Sequence, residues 1–143
     1  MSIYYTCDIH LEASFNKEIL MHLIKKGERM GFLYLARSNY SQSTDPSKVF
    51  TTDEAVEHII IGRTTKKDDF NFAKSLEIKY EDTYFTLSFN EKNNAIYLHM
   101  FPIANIWKKT FENQKYFDFG RYTKILINLC EDFPITNICT EMD

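Results

Sequence analysis

Cys7 and His10 invite a thiol–imidazole reading, because a cysteine becomes a nucleophile when a base stands within hydrogen-bond reach. Their neighbours remove it. Ile3, Tyr5, Cys7, Ile9 and Leu11 alternate with Tyr4, Thr6, Asp8 and His10, the pattern of a half-buried strand. Three residues along a strand put two side chains on opposite faces, so Cys7 points to the core and His10 away from it. Asp8 and His10 do share a face, and a carboxylate can orient an imidazole for general-base work. No nucleophile or oxyanion donor accompanies them, and the simpler account is an exposed polar strand edge.

The other reactive residue types are scattered. His10, His22, His58 and His99 show neither HxH nor HExxH spacing, so a metal site would have to be assembled from distant segments, and none is expected. Cys7, Cys130 and Cys139 form no CxxC pair; Cys130 and Cys139 could approach in space, but reduced core thiols are the plainer expectation. The 4 glycines include no phosphate-cradling loop, which argues against a nucleotide enzyme of a standard kind. No cofactor is expected. The lysine pairs 25–26, 66–67 and 108–109 sit on three separate segments and read as solvated surface.

The elements that position these residues follow from periodicity. After the first strand, Asn16 or Ser14 can cap a helix over about 16–29, with Phe15, Ile19, Leu20, Leu23 and Ile24 on one stripe and Gly27 and Gly31 near its end. Phe32 to Arg37 is apolar on both sides, as for a strand central in a sheet. Residues 38–48, SNYSQSTDPSK, read as a long surface loop. Thr51 and Glu54 form a capping box for a second helix stopping near Gly62, and 64–74 reads as a mixed-charge connector. In 75–102, a turn at Asp82-Thr83 sets Tyr80, Ile78 and Leu76 opposite Phe85, Leu87 and Phe89. A four-residue loop at 91–94 then sets Phe89, Leu87 and Phe85 opposite Ile96, Leu98 and Met100. One register thus gives a three-stranded meander with a continuous apolar face. Ile103, Trp107 and Phe111 mark a short helix, and a last helix capped by Asp118 runs through Phe119, Tyr122, Ile125, Leu126, Leu129 and Phe133 to Pro134. Ile135 to Thr140 is the final strand.

The expected fold is a single α+β domain over residues 1–143, in the order β-α-β-α-β-β-β-α-α-β. Its mainly antiparallel sheet has five or six strands, with three to four helices packed mostly on one face.

The same register defines a second sheet face that is polar and aromatic together, with Glu77 opposite Ser88, Lys79 opposite Thr86 and Tyr84 opposite Phe101. Thr86 and Ser88 continue to His99 and Tyr97, and the first strand adds Tyr4, Asp8 and His10 if it joins the sheet. Such a face is either a second core layer or an open recognition surface. Tyrosine suits the latter, combining contact area with a hydrogen-bonding tip at low entropic cost.

Bulk composition narrows the choice. The 143 residues are 44% hydrophobic and 26% charged, which excludes a disordered chain, and 22 aromatic side chains exceed what an ordinary core of this size needs. A formal net charge of −3 argues against nucleic-acid binding. Beyond Lys124 the only charges are Glu131, Asp132, Glu141 and Asp143, an acidic end able to attract a basic partner. The N-terminus lacks a secretory pattern and no stretch is long enough to span a membrane, so a cytoplasmic location is expected. The function these features favour is an acidic protein-binding module that neutralises a partner, in the manner of an immunity protein blocking a basic toxin or nuclease domain. The expected contacts are Tyr4, Asp8, His10, Glu77, Tyr84, Tyr97 and His99 on the face and Tyr40 and Asp45 in the loop, with Asp8, Glu77 and the terminal acids mimicking a phosphate substrate. The alternatives are a small enzyme or ligand-binding domain with a pocket over the same face, where His10, His99, Asp8 and Tyr84 would converge, and a homodimer through it.

Overall fold

In the computed structural model of the chain, the described residues are 5–14, 16–36, 49–65, 75–81, 83–92, 95–102 and 119–142. The alternating N-terminal segment is strand β1 (Tyr5–Leu11), with Cys7, Ile9 and Leu11 fully buried. Helix α1 (Lys17–Met30) starts where the Asn16 side chain accepts the Ile19 N–H at 2.8 Å. It ends at Gly31, whose φ of 108° is the left-handed conformation that a residue with a Cβ resists. The chain then turns into β2 (Leu33–Leu35).

Helix α2 (Thr52–Thr65) opens with a reciprocal capping box: Thr51 N–H donates to Glu54 Oε1 at 3.0 Å, and Glu54 N–H donates to Thr51 Oγ1 at 3.2 Å. It continues through Gly62 rather than stopping there, because a glycine inside a helix costs only about 1 kcal/mol relative to alanine. The meander follows as β3 (Ser75–Tyr80), β4 (Thr83–Lys92) and β5 (Ala95–Pro102). Helix α3 (Phe119–Cys130) and strand β6 (Ile135–Met142) complete the described elements. The expected helix at Ile103–Phe111 and the 38–48 loop lie outside the described residues.

All six strands form one antiparallel sheet in the order β2-β3-β4-β5-β1-β6. Two expectations are corrected. Strand β2 lies at a sheet margin instead of the centre: Phe32 and Tyr34 are buried while Leu33 between them is 47% exposed. Its free side is partly covered by an antiparallel bridge from Leu35 to Val49, and Phe50 N–H donates to Tyr34 O at 2.7 Å. The hairpin registers also slip by two residues. Ile78 faces Phe85, Leu76 faces Leu87, and Tyr80 faces Thr83, so Thr83 belongs to the β4 ladder instead of to the turn, and Glu81 takes φ 55°. At the next turn Lys92 faces Ala95, which places Phe89 opposite Leu98 and Leu87 opposite Met100. A shift of two residues keeps every side chain on its face, so apolar alternation cannot detect it; the turn decides, and at the first one Glu81 supplies the positive φ that a tight hairpin needs.

The core face carries Cys7, Ile9, Leu11, Leu76, Ile78, Phe85, Leu87, Phe89, Ile96, Leu98 and Met100. All three described helices bury residues in the same cluster: Leu20, Leu23 and Ile24 from α1, Ala55, Val56 and Ile59 from α2, and Tyr122, Leu126 and Leu129 from α3. Burying each of the larger side chains stabilises the fold by about 2 kcal/mol. None of the described helices is long and apolar enough to cross a membrane.

Candidate functional site

Strand pairing builds the second face from β1 outward. Asp8 sits opposite His99 of β5 on one side and Cys139 of β6 on the other. His99 in turn faces Ser88, and Ser88 faces Ser75. The result is one polar row, Cys139–Asp8–His99–Ser88–Ser75, running across five strands. Within it His99 Nδ1 bonds the Asp8 carboxylate, and the Ser75 and Ser88 hydroxyls are 2.9 Å apart. The Asp8 and His99 side chains are 14% and 27% exposed, so the pair is partly desolvated while still reachable. Asp8 therefore orients an imidazole, as the sequence allowed, but that of His99 rather than His10.

The physical reason is sheet geometry. Asp8 and His10 are on one face but two positions apart along a strand, about 7 Å, whereas directly opposed residues have Cβ atoms about 5 Å apart. His10 instead faces Tyr97 on β5 and Asn137 on β6, and Thr136 Oγ1 donates to its carbonyl at 3.2 Å. Next to the polar row, Glu77 faces Thr86, and Lys79 faces Tyr84 with its ammonium 5.8 Å from that ring's centroid. Leu35, opposite Glu77 on β3, and Thr86 are the enclosed residues of the face, at 6% and 8% exposed. Tyr97 holds a second-face register position between His10 and Asn90. Tyr4, Tyr40 and Asp45 lie outside the described residues.

Two of the four terminal acids are engaged inside the molecule. Lys26 donates to Glu131 Oε1 at 3.0 Å and stands 3.4 Å from Asp132 Oδ2, which also bonds His22 Nε2 at 2.9 Å. The His22 hydrogen bond, reinforced by Lys26, holds the Asp132 carboxyl below its ordinary range, and Glu131 raises the Lys26 ammonium. This cluster pins α1 to the turn after α3. Glu141, at a second-face position beside Thr6, is exposed.

His58 of α2 is half-buried and donates from Nε2 to the Ser75 carbonyl at 3.1 Å. Desolvation lowers its pKa, against the opposing pull of that carbonyl. Cys130 and Cys139 do not approach each other: Cys130 is buried in the core near Cys7, and Cys139 is on the far side of the sheet. Among the described residues, no group of three or more His, Cys, Asp or Glu side chains is placed to hold a metal ion.

No family model, curated protein or solved structure matches the chain. Of the described side chains on the second face, three are carboxylates (Asp8, Glu77 and Glu141) and one, Lys79, is an ammonium. Sequence reasoning put Asp8 and His99 on one face without pairing them, because nothing in the residue pattern says that β1 inserts between β5 and β6. The available signal was the pair of complementary polar residues, Asp8 and His99, each at the centre of an alternating strand.

Proposed function

We propose that the chain is a cytosolic protein-binding module that inhibits a basic partner protein, an immunity-protein-like neutraliser, and that the second sheet face is its docking surface. The observation that carries this reading is the segregation of the sheet: all three described helices bury against the apolar face, while the opposite face carries exposed Glu141 and the partly buried carboxylates of Asp8 and Glu77 among Tyr84, His99 and hydroxyl side chains. Carboxylates held on a rigid sheet need little ordering when a cationic site meets them, so their charge is available for affinity and for a fast encounter. Tyr84 offers ring area beside Lys79, the mixed character of a recognition patch.

The test uses tagged chain expressed in its native host. Wild-type protein is expected to co-purify one-to-one with a basic protein, and Tyr84→Ala and Glu77→Gln, which removes the charge without enlarging a side chain whose Oε2 is buried, are expected to lose it while melting as the wild type does. Retention of the partner by both folded variants overturns the reading.

A second reading, a small enzyme or ligand-binding domain, draws on the Asp8–His99 pair, which could act as a general base toward a molecule lying over Ser88. It predicts that the His99 imidazole resonances of the isolated protein move when a metabolite mixture is added and that Asp8→Asn abolishes the shift.

A further inference from the structure

The two margins of the sheet are built differently. The β2 margin is three residues long and partly covered by Val49 and Phe50. The β6 margin is eight residues long, and among the described residues its only strand neighbour is β1. Between Ile135 and Thr140 it carries no charge, proline or glycine, the features that ordinarily stop an edge strand from pairing. Thr136, Asn137, Ile138, Thr140 and Glu141 are exposed, and Ile138 leaves 41% of its surface in water.

We infer that β6 is a dimerisation edge that pairs antiparallel with β6 of a second copy of this chain. The sequence of the strand is close to self-complementary about Ile138. Two-fold pairing centred there sets Ile138 against Ile138, Thr136 against Thr140 and Asn137 against Cys139. Apolar and Thr–Thr pairs of this kind are favourable across antiparallel strands, and each residue pair adds roughly one main-chain hydrogen bond. The one charge, Glu141, falls opposite Ile135, about 20 Å along the strand from its own copy, well beyond the roughly 8 Å over which exposed charges act at physiological salt. Like-charge repulsion therefore does not oppose this register. The two-fold axis is normal to the sheet, so the dimer is a continuous twelve-stranded sheet with both polar faces on one side, a doubled surface for any two-fold partner.

Sedimentation equilibrium of the purified chain is expected to show a concentration-dependent species of twice the 17.0 kDa chain mass. Ile138→Lys, which sets two ammonium groups against each other, is expected to leave only monomer, whereas Leu33→Lys at the opposite margin leaves dimerisation unchanged. Register is read by oxidation. In a Cys139→Ser background, Ile138→Cys is expected to form an intermolecular disulfide, because directly opposed Cα atoms lie about 4.5–5.5 Å apart, within disulfide range. Native Cys139, diagonal to its copy, is not. A chain that stays monomeric at every concentration overturns the proposal, as does a dimer unaffected by Ile138→Lys. Cross-linking through Cys139 instead of residue 138 overturns the register. The measurement needs no other protein, so its failure is distinguishable from failure of the docking proposal.

Discussion

Gly27→Ala tests how tightly α1 is seated on the sheet margin. A Cβ at Gly27 would lie 2.2 Å from Tyr34 Oη and 2.6 Å from Phe32 Cδ2. Neither side chain has room to yield. Phe32 is 2% and Tyr34 3% exposed, and Phe32 meets the rings of Tyr34, Tyr80 and Phe85 edge-on, with centroids 6.3, 5.3 and 5.5 Å away. The Tyr34 hydroxyl is also fixed, donating to Ile24 O at 2.8 Å. Overpacking costs about 2 kcal/mol, and displacing a buried hydroxyl from its acceptor about 1.5 kcal/mol more. Against this, alanine gains about 1 kcal/mol in a helix interior. The expected net loss is about 2.5 kcal/mol, a fall in melting temperature of roughly 10 °C for a chain of this size. Urea denaturation should show a lower midpoint at unchanged slope. Tyr34→Phe removes the oxygen nearest the new methyl group, so adding Gly27→Ala to it should cost less than in the wild type. A Gly27→Ala protein as stable as the wild type, or more so, would refute this packing account.

Cys130, pushed up to about 12 chiefly by burial and further by the neighbouring Cys7, should resist iodoacetamide at neutral pH; mass spectrometry of the folded protein should find label at half-buried Cys139 and, at Cys7 and Cys130, only after denaturation. Asp132 is held below its ordinary value of 3.8 first by His22, so its stabilising effect is complete above that pH and is lost as pH falls through the depressed folded value; Asp132→Asn should flatten the acid limb of the pH–stability curve. His58 is lowered from 6.5 by burial, so stability should fall as pH drops from that value through its folded pKa, and its imidazole NMR titration should have a midpoint below 6.5. Thr51→Ala, which removes one arm of the capping box, should cost about 1 kcal/mol in urea denaturation.

What the residue pattern revealed was face, and what it hid was neighbourhood. The two-residue period of β1 assigned Cys7, Ile9 and Leu11 inward, and the parity of Phe85, Leu87 and Phe89 came through intact. Their partners did not, because a slip of two residues changes each cross-strand pair without exposing an apolar side chain. Phe32 to Arg37 was misplaced for a related reason: Phe32 and Tyr34, buried beneath α1, with Leu33 and Leu35 on the other face make an edge strand look apolar on both sides. The Asp8–His99 pair depends on strand order, a property of the whole sheet that no local spacing encodes. The excess of aromatic residues is now partly accounted for. Phe32, Tyr34, Phe85, Phe89 and Tyr122 are core, while Tyr84 stands half-buried on the polar face.

The central claim, that the polar sheet face receives a protein partner, is tested most directly by hydroxyl-radical footprinting of the free chain and of the one-to-one complex from the native host. The account predicts that Tyr84 and His99 lose reactivity in the complex while His22 and Phe133, packed edge-on 5.0 Å apart by the α3–β6 turn, stay as reactive as before. Protection at His22 and Phe133 with Tyr84 and His99 unchanged would contradict it.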